Sequence, residues 1–393
     1  MNYSQKTTKH KSLLDARGRG LTSPQDEALS EAFCSVDTRR SASATTHRHT
    51  TLTTYKEVVY NIGEYLKEHD KYDEQDFQKK EFKHRLWKNL EDNKLVYYGL
   101  TKSQLTHIET KLRIQRSFLE ISVLYDKVTG NTIPLKDLII SANHSPHRYY
   151  GEIQNRVNTL IGYATQKELV PLFMTLTLPS EYHPFKLINK ELVKNPKFNG
   201  TSPREAVKVL TKRFAKLRND RVFREMPKDQ RIYFRVNEPH QSGTPHTHIL
   251  FYVPQWSIER VMEAFKRLFP QKGNDIQYDL RNAGAYVMKY VNKTLPNSQG
   301  KSRTKKAKYL NAWYAHNRIT RFSSSRTLAP LYLYRLLYKQ YTLKALTRMR
   351  NDKRLRVYAS VDKPDVILEI FDGDELVYMK NENYTIEKHR GVA

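Results

Sequence analysis

Arg231-Ile232-Tyr233-Phe234-Arg235-Val236-Asn237-Glu238 is followed directly by Pro239-His240-Gln241-Ser242-Gly243-Thr244-Pro245-His246 and then by Thr247-His248-Ile249-Leu250-Phe251-Tyr252-Val253. The outer blocks are dominated by β-branched and aromatic residues and predict two strands, and the polar block between them, with two prolines and Gly243, predicts the turn that joins them. Side chains alternate along a strand, so His246 and His248 fall on one face of a sheet. Glu238 ends the first strand just across the turn. A carboxylate and two imidazoles can therefore converge on one point, which is a metal site in outline. His240 competes with Glu238 for the third position; it sits in the turn, whereas Glu238 ends a strand opposite the pair. Two imidazoles, a carboxylate and open water positions suit Mg²⁺ or Mn²⁺ better than zinc.

Some forty residues on, Asn282-Ala283-Gly284-Ala285-Tyr286-Val287-Met288-Lys289-Tyr290-Val291-Asn292-Lys293 predicts a helix. Ala285, Val287, Met288, Val291 and Leu295 occupy one side at helical spacing, while Tyr286, Lys289, Tyr290 and Lys293 recur at i, i+3, i+4 and i+7 on another. A core stripe would not mix lysines with its aromatics. This face points at an anion, for which a phosphodiester is the natural candidate; ordinary helix aromatics are the plainer alternative.

Glu238-Pro239-His240-x-Ser242-Gly243-x-Pro245-His246-x-His248, with Tyr286-Val-x-Lys289-Tyr290-Val-Asn-Lys293, resembles the rolling-circle replication initiators of the HUH endonuclease superfamily, in particular bacteriophage replication gene A proteins of the two-tyrosine type. A third element, Phe173-Met174-Thr175-Leu176-Thr177-Leu178-Pro179-Ser180-Glu181-Tyr182-His183-Pro184, resembles that family's first motif. The resemblance spans roughly residues 145 to 325. It implies an HUH endonuclease domain in which the strand of Thr175 and Thr177 lies beside the histidine strand, with their hydroxyls facing the metal pocket and steadying the scissile phosphate; plain strand propensity is the alternative.

The chemistry it implies is transesterification. Tyr286 or Tyr290 attacks a metal-held phosphate, leaving a 5′-phosphotyrosine and a free 3′-OH primer, and the bond energy kept in the link allows later strand joining. Two tyrosines one helical turn apart allow the second to cut the regenerated junction, while Lys289 and Lys293 neutralise the phosphate or lower a phenol pKa. The implied partners are single-stranded or supercoiled origin DNA, a host helicase and a DNA polymerase. A non-catalytic, sequence-specific DNA-binding regulator with structural histidines is the rival; it predicts no covalent adduct.

Charge agrees with a nucleic-acid partner. The 393 residues carry 68 Lys and Arg against 41 Asp and Glu, a formal net charge of +27, and such an excess favours polyanions with salt-sensitive affinity. From Leu280 to Asn351 there is no carboxylate, while sixteen lysines and arginines occur. Lys305, Lys306, Lys308, Arg318 and Arg321 are the DNA-binding candidates here. Tyr309, Trp313 and Tyr314 interleave with them, which suits stacking on unpaired bases or, alternatively, packing on a core. Gln299-Gly300-Lys301-Ser302 ends like a P-loop, but Leu295 stands where the first glycine is needed, so nucleotide hydrolysis is excluded. One cysteine, Cys34, excludes an internal disulfide framework. No apolar run approaches the ~18 residues of a membrane span, and the expected location is the cytoplasm of a bacterial host cell.

The expected fold is α+β, a central antiparallel sheet with flanking helices, plus a helical N-terminal region and a basic C-terminal extension. Residues 1–50 predict a disordered basic tail. Residues 51–144 predict a helical accessory region, from the spacing of Val58, Val59, Ile62, Tyr65 and Leu66 and then Phe82, Leu86 and Leu90. Residues 145–325 form the endonuclease domain, in which Ser202-Pro203-Arg204-Glu205 predicts a capped helix running to about Asn219. Residues 326–393 hold a basic helix and a hairpin around Asp372-Gly373.

Overall fold

A computed structural model describes residues 11–12 and 74–388, apart from 190, 279, 281, 296–303, 328, 338–339, 365 and 381–382. The tail expected over 1–50 (except Lys11–Ser12), the apolar spacing from Val58 to Leu66 and the Gln299–Ser302 stretch lie outside the described residues.

After a two-residue strand β1 (Lys11–Ser12) come α1 (Glu74–Glu91), β2 (Leu95–Tyr97), β3 (Leu100–Thr101), α2 (Lys102–Ile121), β4 (Ser122–Asp126), β5 (Thr132–Pro134), α3 (Leu135–Leu138) and α4 (Pro146–Gln166). The middle of the chain forms β6 (Val170–Leu176), β7 (Phe185–Ile188), β8 (Glu191–Lys194), α5 (Pro203–Arg218), α6 (Arg221–Glu225), β9 (Ile232–Pro239), β10 (Pro245–Val253), α7 (Ile258–Leu268), β11 (Asp275–Gln277) and α8 (Ala283–Thr294). It ends with α9 (Lys305–Asn317), β12 (Phe322–Ser324), α10 (Leu331–Leu336), α11 (Leu343–Asn351), β13 (Leu355–Ala359), β14 (Ile367–Asp372), β15 (Glu375–Met379) and β16 (Tyr384–Lys388).

The central sheet has the order β11-β6-β10-β9-β12, and every neighbouring pair is antiparallel. This is the α+β arrangement, sheet at the centre and helices around it, that the hairpin predicts. Every residue of β10 is buried, because helices cover both faces. Ile249, Phe251 and Val253, with Leu172, Met174 and Leu176 of β6, pack on α5, α6 and α7. Leu250 and Tyr252, with Ile232, Phe234 and Val236 of β9, pack on α4 and α8. Register across β9–β10 sets His246 opposite Glu238 and His248 opposite Val236, and β6 places Thr175 on the other side of His248. The two histidines thus continue the face that α8 covers.

Local signals account for the helix starts. Ser202 accepts from Glu205 N while the Glu205 carboxylate accepts from Ser202 N, the expected capping box, and Pro203 occupies the first turn. Thr101 and Gln104 form a second box at α2. Asn282 caps α8 by accepting from Ala285 N at 2.9 Å. Ser257 stands at the start of α7 without capping it by its side chain: its hydroxyl turns back to Pro254 O at 2.7 Å.

The turn of the β9–β10 hairpin is held from outside. Gly243 has φ +86°, and a Cβ there would lie 2.4 Å from Tyr98 O in the β2–β3 turn. Trp313 of α9 donates its Nε1–H to Gly243 O at 3.0 Å, and the Tyr314 hydroxyl donates to Asn237 O. Gly243→Ala is therefore expected to destabilise the fold by about 2 kcal/mol or more, since it adds a backbone clash to an unfavourable φ. Denaturant unfolding measures this, and an unchanged midpoint would contradict the close approach.

The expected hairpin turns at Gly373 (φ +60°) between β14 and β15 and joins β13 and β1 in a second antiparallel sheet. The final strand, β16, leaves that sheet and pairs with β4, next to β5. A backbone ladder therefore ties residues 384–388 to the segment that precedes α4. Arg335 of α10 forks onto the buried Glu152 of α4, at 3.0 and 3.1 Å, a bidentate pair that fixes orientation.

Candidate active site

Glu238, His246 and His248 converge, with one ligand atom from each lying within 4.8 Å of the others, and all three are buried. His246 Nε2 and His248 Nε2 are 3.0 Å apart, and Glu238 Oε2 lies 3.7 and 3.9 Å from them. A separation of 3.0 Å is what two donors ~2.1 Å from one ion present at a right angle. Glu238 Oε1 is buried without a hydrogen-bond partner, a cost that ligation would remove. The donor set and spacing therefore fit a divalent ion.

Thr175 lies behind His248, its Oγ1 3.1 Å from His248 Nδ1. With Nε2 bare toward the pocket, Nδ1–H donates to the threonine, which fixes tautomer and ring orientation. The hydroxyl expected to face a phosphate is thus engaged with the imidazole. Removing it in Thr175→Val is expected to weaken divalent-ion binding by about 10–100-fold, measured by Mn²⁺ titration; unchanged affinity would sink the orienting role.

Electrostatics prepare these groups for ligation. Burial, with Lys293 and His240 nearby, pushes His248 down to about 3. Burial, then the neighbouring imidazoles and Lys293, carries His246 well below its ordinary value. Both rings are neutral near pH 7 and offer lone pairs. Burial raises the Glu238 carboxyl while the Lys293 ammonium opposes that rise. Lys293 Nζ sits 2.6 Å from Glu238 Oε2, so an ammonium supplies the positive charge the carboxylate faces here.

His240 stands behind the pair. Its ring centroid is 4.2 Å from that of His246 and 5.3 Å from that of His183. Its Nε2 is buried without a hydrogen-bond partner, and burial, followed by His183 and Lys293, takes it to about 4. Glu238, not His240, joins the two histidines in the group of converging donors.

The α8 tyrosines come to the same place. The Tyr290 ring lies 4.0 Å from that of His248, and the Tyr286 ring 5.7 Å from that of Tyr290. Burial raises the Tyr290 phenol above its ordinary value, and a hydrogen bond with Tyr286 adds to this. Phe173 is wedged among them, edge-on to Tyr286 at 4.5 Å and stacked on Tyr290 at 5.4 Å and His248 at 5.7 Å. The sequence offered a signal for Phe173, two residues before Thr175 and hence on the same strand face. Lys289, one turn before Lys293, is exposed.

Other candidates separate from this cluster or change character. Thr177 lies past the end of β6, where its N–H donates to Asn274 Oδ1 at 2.8 Å. Lys305, Lys306 and Lys308 are exposed on the first turn of α9, but Lys308 faces Glu109 of α2 at 3.7 Å. Arg318 is exposed and takes a left-handed conformation at the end of α9. Arg321 corrects the expectation of a DNA contact. It is only 6% exposed, donates to Thr294 O and Asn311 Oδ1, and stacks over Tyr314 at 3.9 Å. Its guanidinium is consumed in tying α8 to α9. Tyr309, Trp313 and Tyr314 are likewise core residues, so they offer no ring to an unpaired base. Asn237 was missed; it accepts from Thr247 Oγ1 at 2.7 Å and donates to Thr320 O at 2.8 Å, bracing the hairpin beneath the histidines.

Residues 71–311 match the family of the bacteriophage replication gene A protein (GPA). The match begins well before residue 145, so α1, the β2–β3 turn and α2 fall within it, contrary to the narrower span read from motifs. The chain is 25% identical over 251 residues to the replication gene A protein of Escherichia phage P2, covering 57% of this chain and 32% of that protein. It is 30% identical over 183 residues to the replication protein of Haemophilus phage HP1, covering 42% and 21%. It is 26% identical over 219 residues to the "Probable replication endonuclease from prophage-like region 1" of Salmonella typhi, covering 49% and 26%. The chain thus spans about a fifth to a third of the length of these relatives. No solved structure matches it. Among the described residues, no helix is long and apolar enough to cross a membrane.

Proposed function

Since the chain belongs to the bacteriophage replication gene A protein family, we propose that it initiates rolling-circle replication by nicking one strand of origin DNA and later rejoining it through tyrosine. One observation carries this reading: the Tyr290 ring lies 4.0 Å from His248, inside a cluster whose other members are His246, Glu238 and Tyr286. A relative named as a replication endonuclease supports the nicking step.

His246, His248 and Glu238 would hold the ion. Magnesium or manganese bound there supplies Lewis-acid polarisation of the phosphate's non-bridging oxygens. The chain's own residues do the rest. The phenolic oxygen of Tyr290 or Tyr286 attacks phosphorus, a phosphotyrosyl bond forms, the bond to O3′ breaks, and the proton lost by the phenol is balanced by one gained at the 3′-OH. Phe173 keeps the two phenols and the His248 ring in fixed relation. Lys289, exposed on the same helix face, neutralises the incoming phosphate. Residues 145–325 contain all of these groups and are assigned as the cutting unit, with origin DNA as its substrate and a host helicase and polymerase extending the 3′ end.

Incubation with single-stranded origin DNA and Mn²⁺, followed by denaturing electrophoresis, tests this. A protein–DNA adduct that survives denaturation is expected, and its absence at saturating DNA would leave a non-catalytic DNA-binding regulator.

Lys293 and the ion compete for one carboxylate in this scheme. Lys293→Met is expected to raise Mn²⁺ affinity severalfold and to lower thermal stability without metal, because the buried Glu238 loses its counter-charge. Unchanged Mn²⁺ affinity would mean that the ammonium and the ion do not share the carboxylate.

A further inference from the structure

The β7–β8 hairpin, Phe185–Lys194, forms a two-stranded sheet that no other strand joins among the described residues. Its base is fixed. Phe185 is buried with Leu86 and Phe198, Trp87 Nε1 donates to Pro184 O at 3.3 Å, and Lys194 pairs with Glu91. Beyond that base the apolar side chains are open to solvent: Ile188 beside the turn is 51% exposed, Leu192 40%, and Val193, next to the base, 40%. Two-stranded hairpins gain little stability from exposed apolar groups, and such edges invite aggregation unless they serve a contact.

Cross-strand register decides which contact. Ile188 lies opposite Glu191 and Val193 opposite Lys186, so these share one face, while Leu192, between Glu191 and Val193, falls on the other. Exposed apolar side chains thus emerge from both faces. A surface meant for one folded partner would gather them on one side; a blade entering between two things shows them on both. Besides Lys194, which is paired with Glu91 at the base, the hairpin sequence carries Lys186 and Lys190 against one glutamate, Glu191, within a chain of net charge +27. That composition fits entry into nucleic acid, where apolar side chains inserted at a base step unstack it while cations hold the flanking phosphates.

Its root reaches the candidate active site. His183, two residues before β7, packs its ring 5.3 Å from His240 in the histidine turn, and Thr244 of that turn donates to Tyr182 O at 3.1 Å. We propose that this hairpin is a strand-separating wedge for duplex DNA: the exposed apolar side chains of Ile188, Leu192 and Val193, spread over both faces of the hairpin, unstack the base pair at the edge of a melted region and keep a single strand available to the tyrosines. The proposal rests on the nicking function proposed above for its purpose, but unstacking is measurable without any cut.

A forked DNA duplex with 2-aminopurine in the junction base pair, mixed with the full chain in EDTA, reads unstacking as a rise in fluorescence. The parent protein is expected to give the rise, and Ile188→Ser/Leu192→Ser/Val193→Ser to bind the fork with the same salt dependence but to lose it. Ile188→Phe/Val193→Phe, which enlarges the exposed apolar surface without removing it, is expected to keep the rise, and both variants are expected to melt like the parent. No rise with the parent, or a full rise with the serine variant, overturns the wedge. In parallel, covalent adducts on single-stranded origin DNA with Mn²⁺ are expected to be equal for parent and serine variant. Loss of adduct in the serine variant alone also overturns the wedge, because the hairpin would then be supporting the cutting site; absence of adduct with the parent overturns the nicking function and leaves the fluorescence result standing.

Discussion

The double variant Tyr286→Phe/Tyr290→Phe is expected to form no covalent DNA adduct, a loss on the order of 10⁶-fold in cutting rate, while each single variant retains measurable nicking. The two rings are 5.7 Å apart on one helix face, and both contact Phe173, so either oxygen can be presented to one phosphate position. Their surroundings are not equal. Tyr290 lies directly against His248 and burial holds its phenol protonated, so its attack depends more on a charge that stabilises the phenolate. Mapping the phosphotyrosyl peptide by mass spectrometry is the check. Adducts at both positions in the parent are expected. If one single variant loses both the first cut and strand joining while the other is silent, alternation between tyrosines is wrong, and the silent residue is a packing group for its neighbour.

The second large effect concerns the histidines. His246→Ala/His248→Ala is expected to abolish saturable Mn²⁺ binding and metal-stimulated cleavage, because two of three converging donors are gone and the remaining carboxylate already holds Lys293. DNA binding should persist with an unchanged salt slope, since exposed cations lie elsewhere, for example Lys305 and Lys306 on α9. Manganese titration by electron paramagnetic resonance, together with binding isotherms at several salt concentrations, separates the two properties. Full cleavage by this variant in the presence of chelator would remove the metal from the reaction.

Much of the site was legible because its signals are local. The prolines and Gly243 mark the hairpin turn, the His-x-His period puts both rings on one face, and Glu238 at the end of the partner strand follows from the turn between them. Tyr286 and Tyr290 are one helical turn apart whatever the helix packs against. The capping boxes are equally local, since donor and acceptor lie three residues apart.

Charge reads less well from sequence, because a run of like charges in the chain need not be a patch on the surface. The carboxylate-free stretch from Leu280 to Asn351 receives its acids from distant segments: Glu238 reaches Lys293, Glu109 faces Lys308 and Glu152 grips Arg335. Arg321 and the aromatics of α9 share a composition suited to binding nucleic acid, yet they are buried between α8, α9 and the hairpin. Composition cannot tell an exposed cation–aromatic surface from a packed one.

The sequence by itself determined the hairpin, the face shared by its two histidines and the face shared by the two tyrosines, since each depends on a repeat of two or 3.6 residues within one element. Only the tertiary structure decided that these faces meet, that Phe173 lies between them, that Thr175 turns its hydroxyl to His248, and that Lys293, 55 residues from Glu238, takes its carboxylate. Those contacts are set by how α8 lies across the sheet, which depends on the volumes packed beneath it by α4 and β9 and not on any period within the chain.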